Sequence, residues 1–250
     1  MDDLIKSERN HSRILYLRTN FKSDMNITPI AYYHTKLQTK FGVPRQSGLV
    51  PELQGVILFE PEYSNADALR GIDGFDYLWL IWGFSLNDKK EGEWSALVRP
   101  PLLGGNEYMG VFATRSPFRP NALGLSSVKL LGVEKRDEGL ALLVAGADLA
   151  DGTPVYDIKP YVEYADAHTG VRSGFVDSNK WQTLGVVFPD ELRAVFGDED
   201  LAALHRVLEL DPRPQYHNDP TRVYGMPFAG YDIRFTVATG VLTVVEVVAL

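Results

Sequence analysis

The sequence predicts a mainly β protein: a barrel or sandwich over roughly residues 26–165, followed by a small α+β domain over residues 185–250. Short β-rich runs bounded by glycine and proline recur through the first segment, which is typical of all-β domains. Apolar residues at three- and four-residue spacing follow Asp198, as in an amphipathic helix. No Gly-x-Gly-x-x-Gly pattern follows a first strand, so a doubly wound nucleotide-binding sheet has no support.

The composition limits the chemistry and the location of the protein. The 250 residues include no cysteine, which excludes disulfides, thiolate zinc sites and cysteine nucleophiles and fits a reducing compartment. The polar start carries no secretory signal, and the most apolar run, 77–84, is too short to span a bilayer. We therefore expect a cytoplasmic protein with no membrane partner.

The charge distribution argues against wholesale coating of nucleic acid, since the net charge is −8. The acidity lies mainly in residues 131–210, which hold seven basic and fifteen acidic residues. Residues 99–130 hold four basic residues and one acidic residue. A local basic site for one folded RNA is therefore compatible with the charge count.

The first 24 residues mix charges of both signs without periodicity. We interpret residues 1–24 as an extension, which is a poorly ordered arm, a vector-derived leader or a wrongly assigned start. The patterns that follow predict a strand at 27–33, a strand at 53–58, a helical turn at 65–69 and a strand at 77–84. We expect the last of these to be buried on both faces, with its two tryptophans packing in the core.

The stretch Gly110–Lys129 is predicted to form two strands joined by a proline-rich loop. It is expected to open as a strand at Val111 and Phe112 and to close as a strand from Leu125 to Leu131. Between them, Pro117 and Pro120 hold a stiff, extended loop that presents two arginines. A stiff loop loses little entropy on binding, which suits a small anionic or zwitterionic ligand. A surface loop whose arginines bind nothing is the alternative.

Two further segments carry clustered polar residues. Residues 44–48, Pro-Arg-Gln-Ser-Gly, form a loop between turn signals. Residues 148–161 bring Asp148, Asp151, Asp157, Lys159 and Tyr161 into one turn-rich segment, although aspartates in such turns often accept backbone N–H groups. No paired-carboxylate spacing or histidine cluster suggests a metal site, so we expect none.

The C-terminal part is predicted to contain a helix start after Pro189 and a second helix with Asp198 at its N-cap. Two β-rich runs at 231–237 and 241–248 are joined by Ala-Thr-Gly and predict a hairpin.

Three motifs in order resemble the signatures of the TsaA-like family, also called TrmO. They are Pro-Arg-Gln-Ser-Gly at 44–48, Ala-Thr-Arg-Ser-Pro-Phe-Arg-Pro-Asn at 113–121 and Asp-Gly-Thr-Pro-Val-Tyr-Asp-Ile-Lys-Pro-Tyr at 151–161. The resemblance covers nearly the whole chain beyond Met25. It implies a β-barrel with a small C-terminal domain, commonly in a homodimer. It also implies S-adenosylmethionine-dependent methylation of N6 of threonylcarbamoyladenosine, beside the anticodon at position 37 of tRNA.

The resemblance also implies which residues hold the cofactor. Carried over by motif position, the cofactor-binding residues are Gln46, Ser47, Gly48, Phe84, Ser85, Arg115, Leu125 and Asp148. The family usually has histidine where this chain has Ser85, and serine cannot become cationic. A contact there is expected to be shorter and neutral, or mediated by water.

The implied reaction assigns two further roles. The target nitrogen must lose a proton as it attacks, and the general base stays unassigned, with Asp151 and Tyr161 as the catalytic candidates and Asp148 and Asp157 as other carboxylates in the segment. The threonyl carboxylate of the substrate suits a guanidinium. The substrate-binding candidates are Arg45, Arg119, Asn121 and Lys159.

Two other functions stay open at the level of sequence. One is a methyltransferase of the same fold that acts on a non-RNA small molecule. The other is a non-catalytic S-adenosylmethionine-binding module, for which the departure at Ser85 is the only hint.

Overall fold

The computed structural model describes residues 26–86, 93–213 and 219–250. The extension predicted for residues 1–24 lies outside these ranges. The strands are β1 (Ala31–Thr35), β2 (Gln54–Phe59), β3 (Tyr77–Gly83), β4 (Leu97–Val98), β5 (Met109–Gly110), β6 (Leu123–Arg136), β7 (Gly139–Ala145), β8 (Thr153–Pro160), β9 (Gly185–Val187), β10 (Tyr224–Phe228), β11 (Tyr231–Ala238) and β12 (Val241–Ala249).

The helices are short except for the last. They are α1 (Glu163–Asp166), α2 (Phe175–Ser178), α3 (Asp190–Arg193) and α4 (Asp198–Glu209), and 3-10 turns lie at Ala66–Leu69, Ile72–Gly74, Pro101–Leu103 and Val111–Ala113. No helix in the described ranges is both long and apolar enough to cross a bilayer.

Six strands close into an antiparallel barrel in the order β1-β2-β7-β6-β3-β8. The mainly β fold and the barrel are thus confirmed. Side chains alternate along each strand, so one set fills the interior, with Ile57, Leu80 and Val144 fully buried. Each such side chain stabilises the barrel by about 1.5–3 kcal/mol.

The structure differs from the prediction that the strand at 77–84 is buried on both faces. Leu78, Leu80 and Trp82 point into the barrel, whereas Tyr77 on the outer face is 45% exposed. The strand is therefore not buried on both faces, because a single-layer barrel has one interior face.

The structure also differs from the strand predicted at Val111 and Phe112. It is a 3-10 turn and not a strand. Thr114 ends it by donating from both its backbone N and its Oγ1 to the Val111 carbonyl, at 3.1 and 2.9 Å. The strand pairing predicted there falls instead on the preceding β5, which pairs with β4.

A second sheet has the order β10-β11-β12-β9, in which β9 runs parallel to β12 and the other pairs are antiparallel. The predicted hairpin is confirmed as β11–β12, and helix α4 packs on this sheet through Leu204 and Leu208. Gly197, and not Asp198, occupies the N-cap of α4. Asp198 instead places its charge in the first turn, where the helix dipole favours an anion.

The long connection from β1 to β2 belongs to both halves of the molecule. It joins two barrel strands, yet Leu37, Val50 and Leu53 are buried in the core that α4 and β10–β12 form. The predicted loop at 44–48 lies within this connection. Packing around α4 therefore determines where that loop is placed.

Candidate functional site

A cavity of about 630 Å³ opens at one end of the barrel. Four segments line it: the β1–β2 connection, the end of β3, the loop from Thr114 into β6, and the β7–β8 connection. Because antiparallel neighbours bring their connections to the same ends of a barrel, segments far apart in sequence meet here. This volume lies within the usual range for small-ligand sites.

Seven of the eight residues predicted to hold the cofactor line this cavity, all except Gly48. Gly48 lies behind the loop, where its N–H donates to the Gly146 carbonyl at 2.8 Å and its φ is +80°. A Cβ built on Gly146 would meet the Gly48 Cα at 3.5 Å. The close approach of these glycines lets the β1–β2 connection lie against the β7–β8 connection.

Arg115 joins two of the walls. Its Nη1 donates to Gln46 Oε1, which links the loop before β6 to the β1–β2 connection. Ser116 and Phe118 are held by local hydrogen bonds in which Thr114 Oγ1 and Ser116 Oγ accept from backbone N–H groups. The loop is therefore internally braced, as the two prolines predicted.

Asp148 places a carboxylate in the cavity. Burial raises the pKa of its carboxyl above the ordinary value, while hydrogen bonds from Ser126 and from the backbone, and the charge of Arg115, act in the opposite direction. The Ser126 hydroxyl donates to Asp148 Oδ1 at 2.5 Å. The site thus holds a guanidinium and a partly desolvated carboxylate in one cavity.

The sequence patterns did not point to Ser126. Its Oγ accepts from Trp82 Nε1 at 2.9 Å, so the indole, the hydroxyl and the carboxylate of Asp148 form one chain of hydrogen bonds. Ser126 is only 1% exposed. The sequence did contain one signal for it, a serine at an inward position of β6. A buried hydroxyl requires a hydrogen-bond partner, so such a serine indicates a polar group nearby. Trp82 is a core residue, as predicted, and it also lines the cavity.

The other cavity-lining residues predicted to hold the cofactor include apolar and neutral side chains. The Phe84 ring packs edge-on against Trp82 with centroids 4.5 Å apart, and Leu125 lies at the mouth with 58% of its surface exposed. Ser85 Oγ lies 3.3 Å from Thr153 Oγ1, within hydrogen-bonding distance. At position 85, where the family resemblance implies a histidine, this chain thus has a neutral hydroxyl that lies next to a second hydroxyl.

The substrate-binding candidates are dispersed. Arg45 and Arg119 line the cavity, whereas Asn121 and Lys159 do not. Arg45 donates to the carbonyls of Leu210 and Asp211 at 2.6 and 3.0 Å.

Arg119 and Lys159 also have partners within the chain. Arg119 Nη1 donates to the Thr114 carbonyl at 2.8 Å. Lys159 Nζ lies 2.9 Å from Asp157 Oδ2 in an exposed pair.

Neither catalytic candidate lines the cavity. Asp151 Oδ1 accepts from the Thr35 N–H at 3.0 Å and lies 3.3 Å from His34 Nδ1. The Tyr161 ring packs against Trp79 with centroids 5.6 Å apart. Of the carboxylates considered from sequence, Asp148 is the one that the structure brings to the cavity. Within the described ranges, no group of three or more histidines and carboxylates is arranged to hold a metal ion.

A closed barrel whose mouth combines a guanidinium, a half-buried carboxylate and apolar side chains has the features of β-barrels that bind small molecules. Residues 32–167 match the family model of the tRNA-methyltransferase O N-terminal domain, and residues 182–250 match that of the TrmO C-terminal domain. The chain belongs to the TrmO family, as its three motifs predicted.

Named relatives agree with this membership. The tRNA (adenine(37)-N6)-methyltransferase of Escherichia coli (strain K12) is 35% identical over 228 residues, which cover 86% of this chain and 94% of that protein. An Eikenella corrodens protein of the same name is 40% identical over 185 residues, covering 70% of this chain and 98% of its own. The crystal structure of TrmO from Pseudomonas aeruginosa superposes with a TM-score of 0.71 at 29% identity, covering 90% of this chain and 100% of that one.

Proposed function

We propose that the chain is an S-adenosylmethionine-dependent methyltransferase that methylates N6 of threonylcarbamoyladenosine at position 37 of tRNA. The observation that carries the proposal is the convergence of three separate sequence motifs on one cavity. The chain's family is one of tRNA methyltransferases. Its Escherichia coli relative is named for methylation of N6 of adenine 37, and a Pseudomonas aeruginosa relative is described as S-adenosylmethionine-dependent.

The residues present fit S-adenosylmethionine. That molecule carries an α-carboxylate, an ammonium, ribose hydroxyls and a flat aromatic adenine whose faces pack against apolar side chains, and the cavity offers a complement to each. Arg115 suits the carboxylate, and Asp148 suits an ammonium or a pair of hydroxyls. Phe84 and Leu125 supply apolar surface at the mouth. We propose that these four, with Gln46, Ser47 and Ser85, hold the cofactor and that Gly48 shapes the loop beneath it.

When bound, S-adenosylmethionine supplies an electrophilic methyl group on a sulfonium, and transfer to nitrogen is an in-line displacement. The protein's task is then alignment and exclusion of water, and alignment alone supplies several kcal/mol, up to about 7–11 in favourable cases. The braced loop from Thr114 to Asn121 and the Asp148 carboxylate hold fixed positions before any ligand enters. This preorganisation lowers the entropic cost of binding.

The proton of the target nitrogen needs an acceptor in or beside the cavity. Asp151 and Asp157 have other partners: the Thr35 N–H and the Lys159 ammonium respectively. Asp148 lies in the cavity, but a carboxylate that holds the cofactor's ammonium or hydroxyls is not free to take this proton. The base therefore stays unassigned, and substitutions of Asp151 and Tyr161 test the two candidates from sequence.

The substrate carboxylate is an anion that needs a cationic or polar partner. Arg119 lines the cavity beside Thr114, so we propose it as the primary contact for the threonyl group. Arg45, Asn121 and Lys159 are proposed as secondary contacts, to be tested by substitution.

Homodimeric assembly and a cytoplasmic location complete the proposal, and the absence of cysteine fits a reducing compartment.

The test has two stages. Isothermal titration of the full chain with S-adenosylmethionine and S-adenosylhomocysteine should show saturable binding by both. Methylation is then assayed by mass spectrometry of nucleosides, using tRNA with and without the threonylcarbamoyl group on adenine 37. Methyl transfer only to the modified tRNA supports the proposal. Transfer to plain adenine 37 overturns the threonylcarbamoyl specificity, and cofactor binding without transfer to either tRNA overturns the methyltransferase function.

A further inference from the structure

Two aromatic rings are exposed to solvent beside the cavity. Phe112 has 72% of its surface exposed and Trp94 has 50%. Their ring planes are inclined by only 22°, with centroids 6.4 Å apart. We call these two residues the Trp94–Phe112 platform. Large aromatic rings that a monomer leaves in water mark an interaction site when they cluster.

Backbone hydrogen bonds fix the platform in place. Val111 N, next to Phe112, donates to the Ala96 carbonyl at 2.9 Å, and Ser95 N, next to Trp94, donates to the Phe118 carbonyl at 3.1 Å. The two-residue strands β4 and β5 pair alongside. The rings are therefore presented on a braced segment and lose little freedom when a partner binds.

One guanidinium lies near the platform and connects it to the cavity. Arg119 Cζ lies 6.0 Å from the Phe112 ring centroid, and Arg119 also lines the cavity. On the adjoining segment, Arg99 Cζ lies 4.6 Å from the Tyr108 ring centroid, and Tyr108 is 55% exposed. Two exposed aromatic side chains, Phe112 and Tyr108, thus each have a guanidinium close to the ring.

We propose that the Trp94–Phe112 platform stacks an unpaired nucleobase of the RNA that flanks the target nucleotide. The inference rests on the proposed function, because the target nucleoside must enter the cavity for its neighbour to reach the rim. Aromatic stacking of splayed bases next to arginine is the usual chemistry of single-stranded RNA recognition. Arg119 lines the cavity and its Cζ lies 6.0 Å from the Phe112 ring centroid, so a single side chain connects the cavity to the platform.

The competing occupant is a second copy of the chain, which would also cover exposed apolar rings. The positive charge favours RNA, since residues 93–130, which include both rings, hold four basic residues and two acidic residues. A phosphate backbone complements that charge. In a two-fold contact between copies the same patch meets itself, so the basic residues of one copy would face those of the other, and a second copy offers poorer complementarity.

The experiment measures binding of a fluorescein-labelled anticodon stem-loop RNA carrying threonylcarbamoyladenosine, by fluorescence anisotropy with S-adenosylhomocysteine present. The full chain is compared with Trp94→Ala, Phe112→Ala and Phe112→Leu, the last of which keeps apolar volume and removes the π face. Tyr63→Ala is the matched control. Tyr63 is 36% exposed and follows β2 at the opposite end of the barrel.

Loss of one stacked base should weaken RNA binding about fivefold to about a hundredfold in Phe112→Ala and Phe112→Leu. Trp94→Ala should act in the same direction, and Tyr63→Ala should bind like the wild type. Titration with S-adenosylhomocysteine and sedimentation velocity should give the same results for all variants. Unchanged RNA affinity in the platform variants overturns the proposal.

Three outcomes distinguish base stacking on the platform from contact between copies and from failure of the proposed function. A change in sedimentation with unchanged RNA affinity assigns the surface to contact between copies of the chain and overturns the RNA proposal. A wild-type protein that binds S-adenosylhomocysteine but no RNA overturns the proposed function, and the platform with it. A wild type that methylates tRNA while Phe112→Ala binds it equally well overturns the platform alone.

Discussion

The Ser126 hydroxyl donates a 2.5 Å hydrogen bond to Asp148 and thereby connects the interior of strand β6 to the β7–β8 connection. Trp82 Nε1 completes the chain from the neighbouring strand β3 at 2.9 Å. Ser126 is buried in the barrel while Asp148 reaches the cavity, so the core fixes the direction of a carboxylate in the site. Ser126 is therefore a positioning residue.

Replacing Ser126 with alanine tests that relationship. The variant removes a hydrogen bond to a charged group, which is worth about 1.5–3 kcal/mol. We expect the affinity for S-adenosylhomocysteine to fall about tenfold or more, and the pH at which Asp148 titrates to rise further. Isothermal titration across a pH series measures both. Ser126→Thr keeps the hydroxyl and should restore binding, and equal affinity of Ser126→Ala and wild type at every pH would contradict the role.

Asp148→Asn should separate binding from stability. The pKa of Asp148 is raised in the folded state because of burial, so the folded protein holds this proton more tightly than the unfolded chain. Wild-type stability then falls as pH rises from the ordinary aspartate pKa to the raised value, and stays lower above it. We expect Asp148→Asn to melt at a higher temperature than wild type at neutral pH, and to lose cofactor binding.

The control for this prediction is the same comparison of melting temperatures at low pH. The gap between the two melting curves should shrink as pH falls below the ordinary aspartate pKa, where the wild-type carboxyl is protonated in both states. A variant that is less stable than wild type at neutral pH would show that the ionised carboxylate contributes net stability.

Arg115→Ala should leave the fold intact and weaken cofactor binding. The Arg115 side chain is exposed and contacts Gln46 across the cavity, so little core packing depends on it. A charge-assisted hydrogen bond of about 1.5–3 kcal/mol predicts a loss of about tenfold to a hundredfold in affinity. Arg136→Ala, at the far end of β6, is the matched control. A folded Arg115→Ala protein that binds S-adenosylhomocysteine as well as wild type would remove Arg115 from the site.

Asp151→Ala should behave as a structural variant. Asp151 Oδ1 accepts the Thr35 N–H at 3.0 Å, and removing that acceptor costs about 1–3 kcal/mol. We expect a lower melting temperature and near-normal methyl transfer per folded molecule. Asp151→Asn keeps an acceptor oxygen and should restore most of the stability. Loss of transfer in a stable Asp151→Asn protein would instead support the catalytic role predicted from sequence.

The β-rich segments and the terminal hairpin could be predicted from local signals such as turn residues and β-rich runs, and the resemblance carried by the three motifs implied a barrel where those signals left barrel or sandwich open. Partners that only closure of the barrel creates could not. Ser126 and Asp148 are distant in sequence, and their contact follows from the β6–β7 register. The strand predicted at Val111 failed because Thr114 caps a 3-10 turn, a side-chain effect that overrides β propensity at two residues.

Contacts that only the folded chain creates also bear on the role assigned to Arg45. The sequence makes Arg45 a candidate for substrate binding, but its guanidinium donates to the carbonyls of Leu210 and Asp211 at the end of α4 and lies 3.8 Å over the Trp181 ring. Those contacts attach the β1–β2 connection, with Gln46 and Ser47, to the C-terminal half. We infer that Arg45 positions the cofactor loop.

Arg45→Ala decides between the two roles. If Arg45 positions the loop, the ligand-free variant should melt at a lower temperature, because two hydrogen bonds and a cation–π contact are lost, and S-adenosylhomocysteine should bind more weakly. Arg45→Lys should recover little, since one ammonium cannot reproduce a guanidinium that bonds two carbonyls and stacks on a ring. An Arg45→Ala protein with wild-type melting and cofactor affinity, but weaker tRNA binding, would restore the substrate role. Thermal unfolding and the two titrations together therefore assign this side chain to the loop or to the substrate.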